Sequence, residues 1–186
     1  MASAGQLRSN IILIGMPGAG KSAVGRLLAH KLRRSFLDTD VLLAERVGQP
    51  LGDFLTSFGA ERFRQEEEAL VLGVAAKSCV VATGGSVVYS VRAMEHLRKL
   101  GMVVYLSADF PALERRGLDL VSRGVVRAAG QSLGSLLAER APLYEKFADL
   151  TIDARAGDPA QVAEELVEVL AAVPTRTRQD PVTGGW

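Results

Sequence analysis

The sequence predicts a three-layer α/β sandwich built on a five-stranded parallel sheet. Two patterns carry that expectation: short β-rich runs alternate with segments of helical apolar periodicity, and the first such run leads through a glycine-rich loop straight into a helix. A third observation is one of scale, since 186 residues with 48% hydrophobic content can bury a sizeable core without disulfides.

The first strand is the apolar run Ile11-Ile12-Leu13-Ile14. It is followed by Gly15-Met16-Pro17-Gly18-Ala19-Gly20-Lys21-Ser22, which fits the phosphate-binding pattern G-x-x-x-x-G-K-[ST], and then by Val24, Leu27, Leu28 and Leu32 at helical spacing. Further strands are expected at Ser35 to Leu37, Cys79 to Thr83, Met102 to Leu106 and Leu150 to Ile152, with intervening segments long enough for helical crossovers. The span of about 40–76 holds no strand but two helical stretches, Leu51 to Phe58 and Glu61 to Val74, and reads as an insertion. Another helical region is interrupted by the basic, glycine-flanked stretch Ser122 to Gly130, a candidate lid over about 117–131. Asp158-Pro159-Ala160-Gln161 opens a last helix whose apolar positions are Val162, Leu166, Val169, Leu170 and Val173. One domain is expected over 10–173, with a flexible start at 1–9 and a disordered tail at 174–186.

Composition narrows the function classes. Twenty-two basic and 21 acidic side chains give a net charge of +1, which offers no general surface for nucleic acid. No apolar run approaches the roughly twenty residues of a membrane span and no export signal is recognisable, so a cytoplasmic protein is expected; it is also expected to act as a monomer. The single cysteine, Cys79, reads as a buried strand residue, and His30 and His96 as solvated helix residues.

The loop supplies a definite chemistry. Its glycines let backbone N–H groups converge on phosphate oxygens, Lys21 can reach the β- and γ-phosphates, and the Ser22 hydroxyl can ligate Mg²⁺. Asp38 and Asp40 end the second predicted strand, at the side of a parallel sheet where ligands bind. One could anchor the metal through water and the other orient or deprotonate an acceptor hydroxyl, although a turn or helix cap would use the same residues. Arg64 and Glu67 stand three apart, so Glu67 could hold a guanidinium that binds an anion, or the two could form an ordinary solvated pair. Gly84 and Gly85 in Ala82-Thr83-Gly84-Gly85-Ser86 allow a ligand close to bare backbone, as would a plain strand-to-loop turn. Arg140 precedes a proline late in a helical segment, and Arg123 and Arg127 fall in the candidate lid.

In combination these motifs resemble those of the shikimate kinase family, small kinases built on the nucleoside monophosphate kinase fold. The likeness spans about Asn10 to Ile152 and consists of the Gly-Lys-Ser loop, Asp38-x-Asp40, Phe63-Arg64-x-x-Glu67, the glycine turn and Arg140-x-Pro142-Leu143-Tyr144, in that order. The resemblance implies ATP-dependent phosphorylation of shikimate, with Mg²⁺. It implies that Gly18, Ala19, Gly20, Lys21, Ser22 and Ala23 hold the nucleotide, that Asp38 supports the metal, and that Asp40 binds and activates the acceptor hydroxyl. Arg64 and Arg140 would clamp the substrate carboxylate, Glu67 would orient Arg64, and Gly84 and Gly85 would contact the polyol. Arg123 would cover adenine and Arg127 would close over the phosphates. Two departures stand out: Ser86 replaces a third glycine, and only three residues separate Arg123 from Arg127. The alternatives are a kinase for another small hydroxylated anion, such as gluconate or a nucleoside monophosphate, and a nucleotide-binding protein without turnover.

Overall fold

A computed structural model describes residues 10–117, 124–155 and 158–172. The proposed flexible start, the disordered tail, Val173 and Arg123 lie outside the described residues. Five strands, β1 (Asn10–Ile14), β2 (Ser35–Asp38), β3 (Cys79–Ala82), β4 (Met102–Ser107) and β5 (Leu150–Asp153), form one parallel sheet in the order β2-β3-β1-β4-β5. Each falls within a residue or two of its expected place. The apolar runs explain why β1 and β3 occupy the interior: every residue in both is buried, as strands covered on both faces require. Cys79 is among them.

Helices α1 (Lys21–Leu32) and α7 (Pro159–Ala172) pack together on the sheet. Val162, Leu166 and Leu170 of α7 enter the main core, and Lys31 pairs with Glu164 across the two helices. Asp158 caps α7 as its position before proline predicts, accepting a bond from the Ala160 amide at 2.9 Å.

The insertion departs from expectation in one respect. A helix unforeseen from the sequence, α2 (Thr39–Val47), precedes α3 (Leu51–Leu72), and the two expected stretches are parts of α3, which kinks where Gly59 takes φ 78° and ψ 170°. Leu43, Leu51, Phe54 and Phe63 make a small second core there, joined from the candidate lid by Val126. Beyond β3 come a single 3₁₀ turn at Val87–Tyr89 and α4 (Val91–Leu100), whose cap Ser90 accepts from the Ala93 amide. His96 on α4 is partly buried and bonds the Val74 carbonyl at 2.8 Å rather than standing solvated. α5 (Phe110–Arg115) and α6 (Leu133–Phe147) flank the candidate lid.

Leu166 is fully buried between α7 and the rest of the core. Its replacement by alanine should therefore cost about 2–5 kcal/mol, read as a lower urea midpoint with an unchanged slope; an unmoved midpoint would show that α7 adds little to the core.

Candidate active site

The parallel pairing decides where chemistry can occur. Leu13 lies opposite Ala82, and Ala82 opposite Asp38, so the chain leaves β1, β3 and β2 along one line at the carboxyl edge of the sheet. The loop Gly15–Gly20, the Asp38–Asp40 segment and the turn Thr83–Ser86 consequently meet. Together they line a cavity of 360 Å³ whose wall includes Pro17, Lys21, Ser22, Asp40, Gly84 and Arg140.

The loop closes onto α1 through Gly20, whose φ of 96° belongs to the left-handed region that glycine enters without a Cβ penalty. Lys21, the first helical residue, is buried, and its Nζ donates to the Gly15 and Met16 carbonyls at 2.7 and 2.8 Å. Burial pushes its pKa down to about 8, opposed by the nearby Asp40, Asp38 and Glu67 carboxyls and reinforced by Arg140. The buried ammonium thus rests on two backbone carbonyls of the loop.

Ser22 Oγ donates to Asp38 Oδ2 at 2.6 Å, while Asp38 Oδ1 accepts from the Asp40 amide at 3.1 Å and caps α2. Asp38 therefore serves both readings of its sequence context, as a helix cap and as a partner of the loop. These two oxygens suit Mg²⁺, which in phosphate sites takes one or two protein oxygens and completes its shell with water and phosphate. Among the described residues no cluster of three or more acidic, histidine or cysteine side chains offers a competing cage.

At the turn after β3, Gly84 and Gly85 leave little room for a side chain. A Cβ on Gly84 would come within 2.2 Å of Glu67 Oε1 and 2.7 Å of Asp40 Oδ1, and one on Gly85 within 2.7 Å of Pro17. The Gly84 amide donates to Thr39 Oγ1 at 3.0 Å, and Tyr144 from α6 donates its hydroxyl to the Gly85 carbonyl at 2.7 Å. Arg140 is 1% exposed, donating from Nη2 to the Val126 carbonyl and from Nε to Tyr89 Oη at 3.1 Å.

Glu67 corrects one expectation. It does not hold Arg64, which instead pairs with Glu61 at 3.0 Å on the exposed side of α3. Glu67 is buried, accepts from Ser86 Oγ at 2.7 Å through Oε2, and leaves Oε1 without a partner. Glu67 shares the buried face of α3 with Phe63 and Val71, and Ser86, the residue in place of a third glycine, bonds it there. Arg64 borders a neighbouring cavity of 530 Å³, which shares Glu67 and Ser86 with the first. Arg127 is exposed, donates to the Gln131 carbonyl at 2.6 Å, and does not border the main cavity. Arg116, which no sequence motif singles out, does border it: it bridges the Gly18 and Ala154 carbonyls at 2.7 and 2.6 Å. Nothing local in Glu114-Arg115-Arg116 marks it, because its partners lie 98 and 38 residues away.

Comparison with known proteins agrees with this architecture. A family model described as shikimate kinase matches residues 17–171. A shikimate kinase of Moorella thermoacetica is 42% identical over 166 residues, covering 88% of this chain and 95% of that protein, and one of Thermodesulfovibrio yellowstonii is 36% identical over 162 residues, covering 86% and 93%. The structure of an Acinetobacter baumannii shikimate kinase in complex with shikimate superposes with a TM-score of 0.82 at 31% identity, covering 90% of this chain and 95% of that one.

Burial raises the Glu67 pKa from 4.5 to about 7, opposed by the Ser86 bond and by Arg140 and Lys21, and reinforced by Asp40. A carboxyl raised on folding binds its proton more tightly in the folded chain, so stability should fall as pH rises between about 4.5 and 7. Glu67→Gln removes that dependence. Relative to the wild type it should gain roughly 1 to 3 kcal/mol between pH 5 and pH 7.5, measured by denaturant midpoints; parallel pH profiles would show that Glu67 titrates alike in both states.

Proposed function

The chain belongs to the shikimate kinase family, and from that premise we propose that it transfers the γ-phosphoryl group of ATP to the 3-hydroxyl of shikimate. The observation that carries the reading is the single cavity bordered by the phosphate loop, Asp40, the Gly84-Gly85 turn and Arg140. Phosphoryl transfer needs a neutralised triphosphate, an acceptor hydroxyl in line with the γ-phosphorus, and little water. Those residues supply each part.

The amides of Gly18 to Ala23, at the N-terminus of α1, receive the phosphates, and Lys21 exchanges its two carbonyl partners for phosphate oxygens. Ser22 and Asp38 would hold Mg²⁺, which would supply positive charge against the triphosphate. Asp40 accepts the proton of the acceptor hydroxyl as its oxygen bonds to the γ-phosphorus and the bond from that phosphorus to the β,γ-bridging oxygen breaks. Arg140 and Arg64 bind the carboxylate of the acceptor, and Gly84 and Gly85 lie against its ring. Arg64 reaches this role by leaving Glu61, an exposed partner that costs little to exchange. Arg123 covers the adenine, and Arg127 swings from Gln131 to close over the phosphates. We further propose that it is a cytoplasmic monomer acting on two small molecules, without a nucleic acid or membrane partner.

Mixed with MgATP, the protein should release ADP with shikimate and not with gluconate, nucleoside monophosphates or no acceptor; equal release in all four would overturn the assignment. Asp40→Asn should lower kcat by about two to four orders of magnitude with little change in the affinity for ATP, measured by steady-state kinetics and nucleotide titration.

A further inference from the structure

The carboxylate clamp draws its two arginines from α3 and α6, and a single aromatic ring stands beside both. The Arg140 guanidinium carbon lies 5.0 Å from the Tyr89 ring centroid and that of Arg64 5.9 Å from it, both within the range of attraction between a cation and an aromatic face. The Tyr89 hydroxyl accepts from Arg140 Nε at 3.1 Å and donates to Glu139 Oε1 at 2.5 Å. Glu139 is held in turn through its other oxygen by Gln131 Nε2 at 2.6 Å. Tyr89 ends the 3₁₀ turn that directly follows Gly84-Gly85-Ser86, so the glycine turn runs straight into the residue that carries this ring.

Arg140 needs such support. With Nε bonded to Tyr89 and Nη2 to Val126, its guanidinium plane is set, while Nη1 lies at the cavity wall, 3.1 Å from where a Cβ on Gly85 would stand. A guanidinium fork recognises a carboxylate through its plane, so an error in orientation weakens the bidentate contact more than it would weaken a point charge.

Resting on the reading of this cavity as the shikimate site, we propose that Tyr89 is a positioning residue that sets the acceptor specificity: its ring limits the separation of Arg64 and Arg140, and its hydroxyl orients Arg140, which together select a planar carboxylate. Tyr89 acts through the arginines and does not touch the reacting atoms. Its removal should therefore weaken acceptor binding and spare the chemistry.

The test uses the full chain and compares wild type, Tyr89→Phe and Tyr89→Leu, with shikimate and its methyl ester as acceptors. Tyr89→Phe keeps the ring and should raise KM for shikimate roughly 3- to 10-fold; Tyr89→Leu loses ring and hydroxyl and should raise it roughly 10- to 50-fold. Both should leave kcat and the KM for ATP within about twofold. The wild-type preference for shikimate over the ester should shrink in Tyr89→Leu, with Tyr89→Phe recovering part of it. KM values unchanged in both variants, or kcat and both KM values worsening together, would overturn the proposal and make Tyr89 a packing residue. A wild type that turns over no shikimate would overturn the functional reading, and the proposal with it; normal wild-type turnover beside unaffected variants would overturn the proposal alone.

Discussion

The parallel registration of β1 against β3, and of β3 against β2, is the constraint on which the remaining structure depends. Residues Leu13, Ala82 and Asp38 fall in one row, so three chain segments with no sequence relation emerge side by side. A slip of one residue in β2 would turn Asp38 to the opposite face of the sheet and part it from Ser22, since side chains alternate along a strand. The row is secured from within by residues that make little chemistry: Thr83 bonds the Leu13 carbonyl through both its amide and its hydroxyl, at 3.1 and 3.0 Å. Buried apolar strands thus place polar groups with a precision that loops alone would lack.

Given that convergence, the site's charges must share one poorly hydrated space. Lys21, Glu67 and Arg140 are all buried around it, which is costly for any of them in isolation and tolerable because opposite charges face one another. The pKa directions record the balance. Lys21 is lowered and Glu67 raised, each mainly by burial and each opposed by a neighbour of opposite charge. Such a set is responsive to a ligand, because an entering anion beside Lys21 or Arg140 changes the partners on which every other charge depends.

Most of the frame was legible from the sequence. The five strands, the phosphate loop and its helix, and the aspartate pair are all specified by residues close together along the chain, where apolar period and glycine spacing speak directly. Helix α2 was not read, although Asp38 before it and Gly48 after it are good capping residues; with only Leu43 among its apolar residues fully buried, it shows a weak face. The pairing of Arg64 was misread because Glu61 and Glu67 both stand three positions away, on opposite sides in sequence. Spacing from Arg64 alone does not choose between them; Glu67 falls on the buried face of α3 with Phe63 and Val71, where Ser86, nineteen positions away, bonds it. Arg116 and Tyr89 were silent for the same reason, since what gives them meaning is contact across distant elements.

The two halves of the site are also joined by packing that leaves little play. Gly85 lies so close to Pro17 that a Cβ would enter the proline ring's space, which sets the acceptor turn directly against the phosphate loop. Tyr144 holds that turn from behind, with its hydroxyl on the Gly85 carbonyl and its ring stacked on Tyr105 of β4 at 5.1 Å. Tyr105 stands opposite Ile14, the last residue of β1 before the loop. The distance between the glycine turn and the phosphate loop is therefore set by a closed circuit of strand, ring, turn and loop. In-line transfer tolerates displacements well below an ångström, and a circuit of close-packed parts meets that demand where a hinge between the two halves would not. Under the proposed function, motion is left to the outer parts, Arg64 on its exposed helix face and Arg127 beyond the cavity, which would close around substrates already aligned.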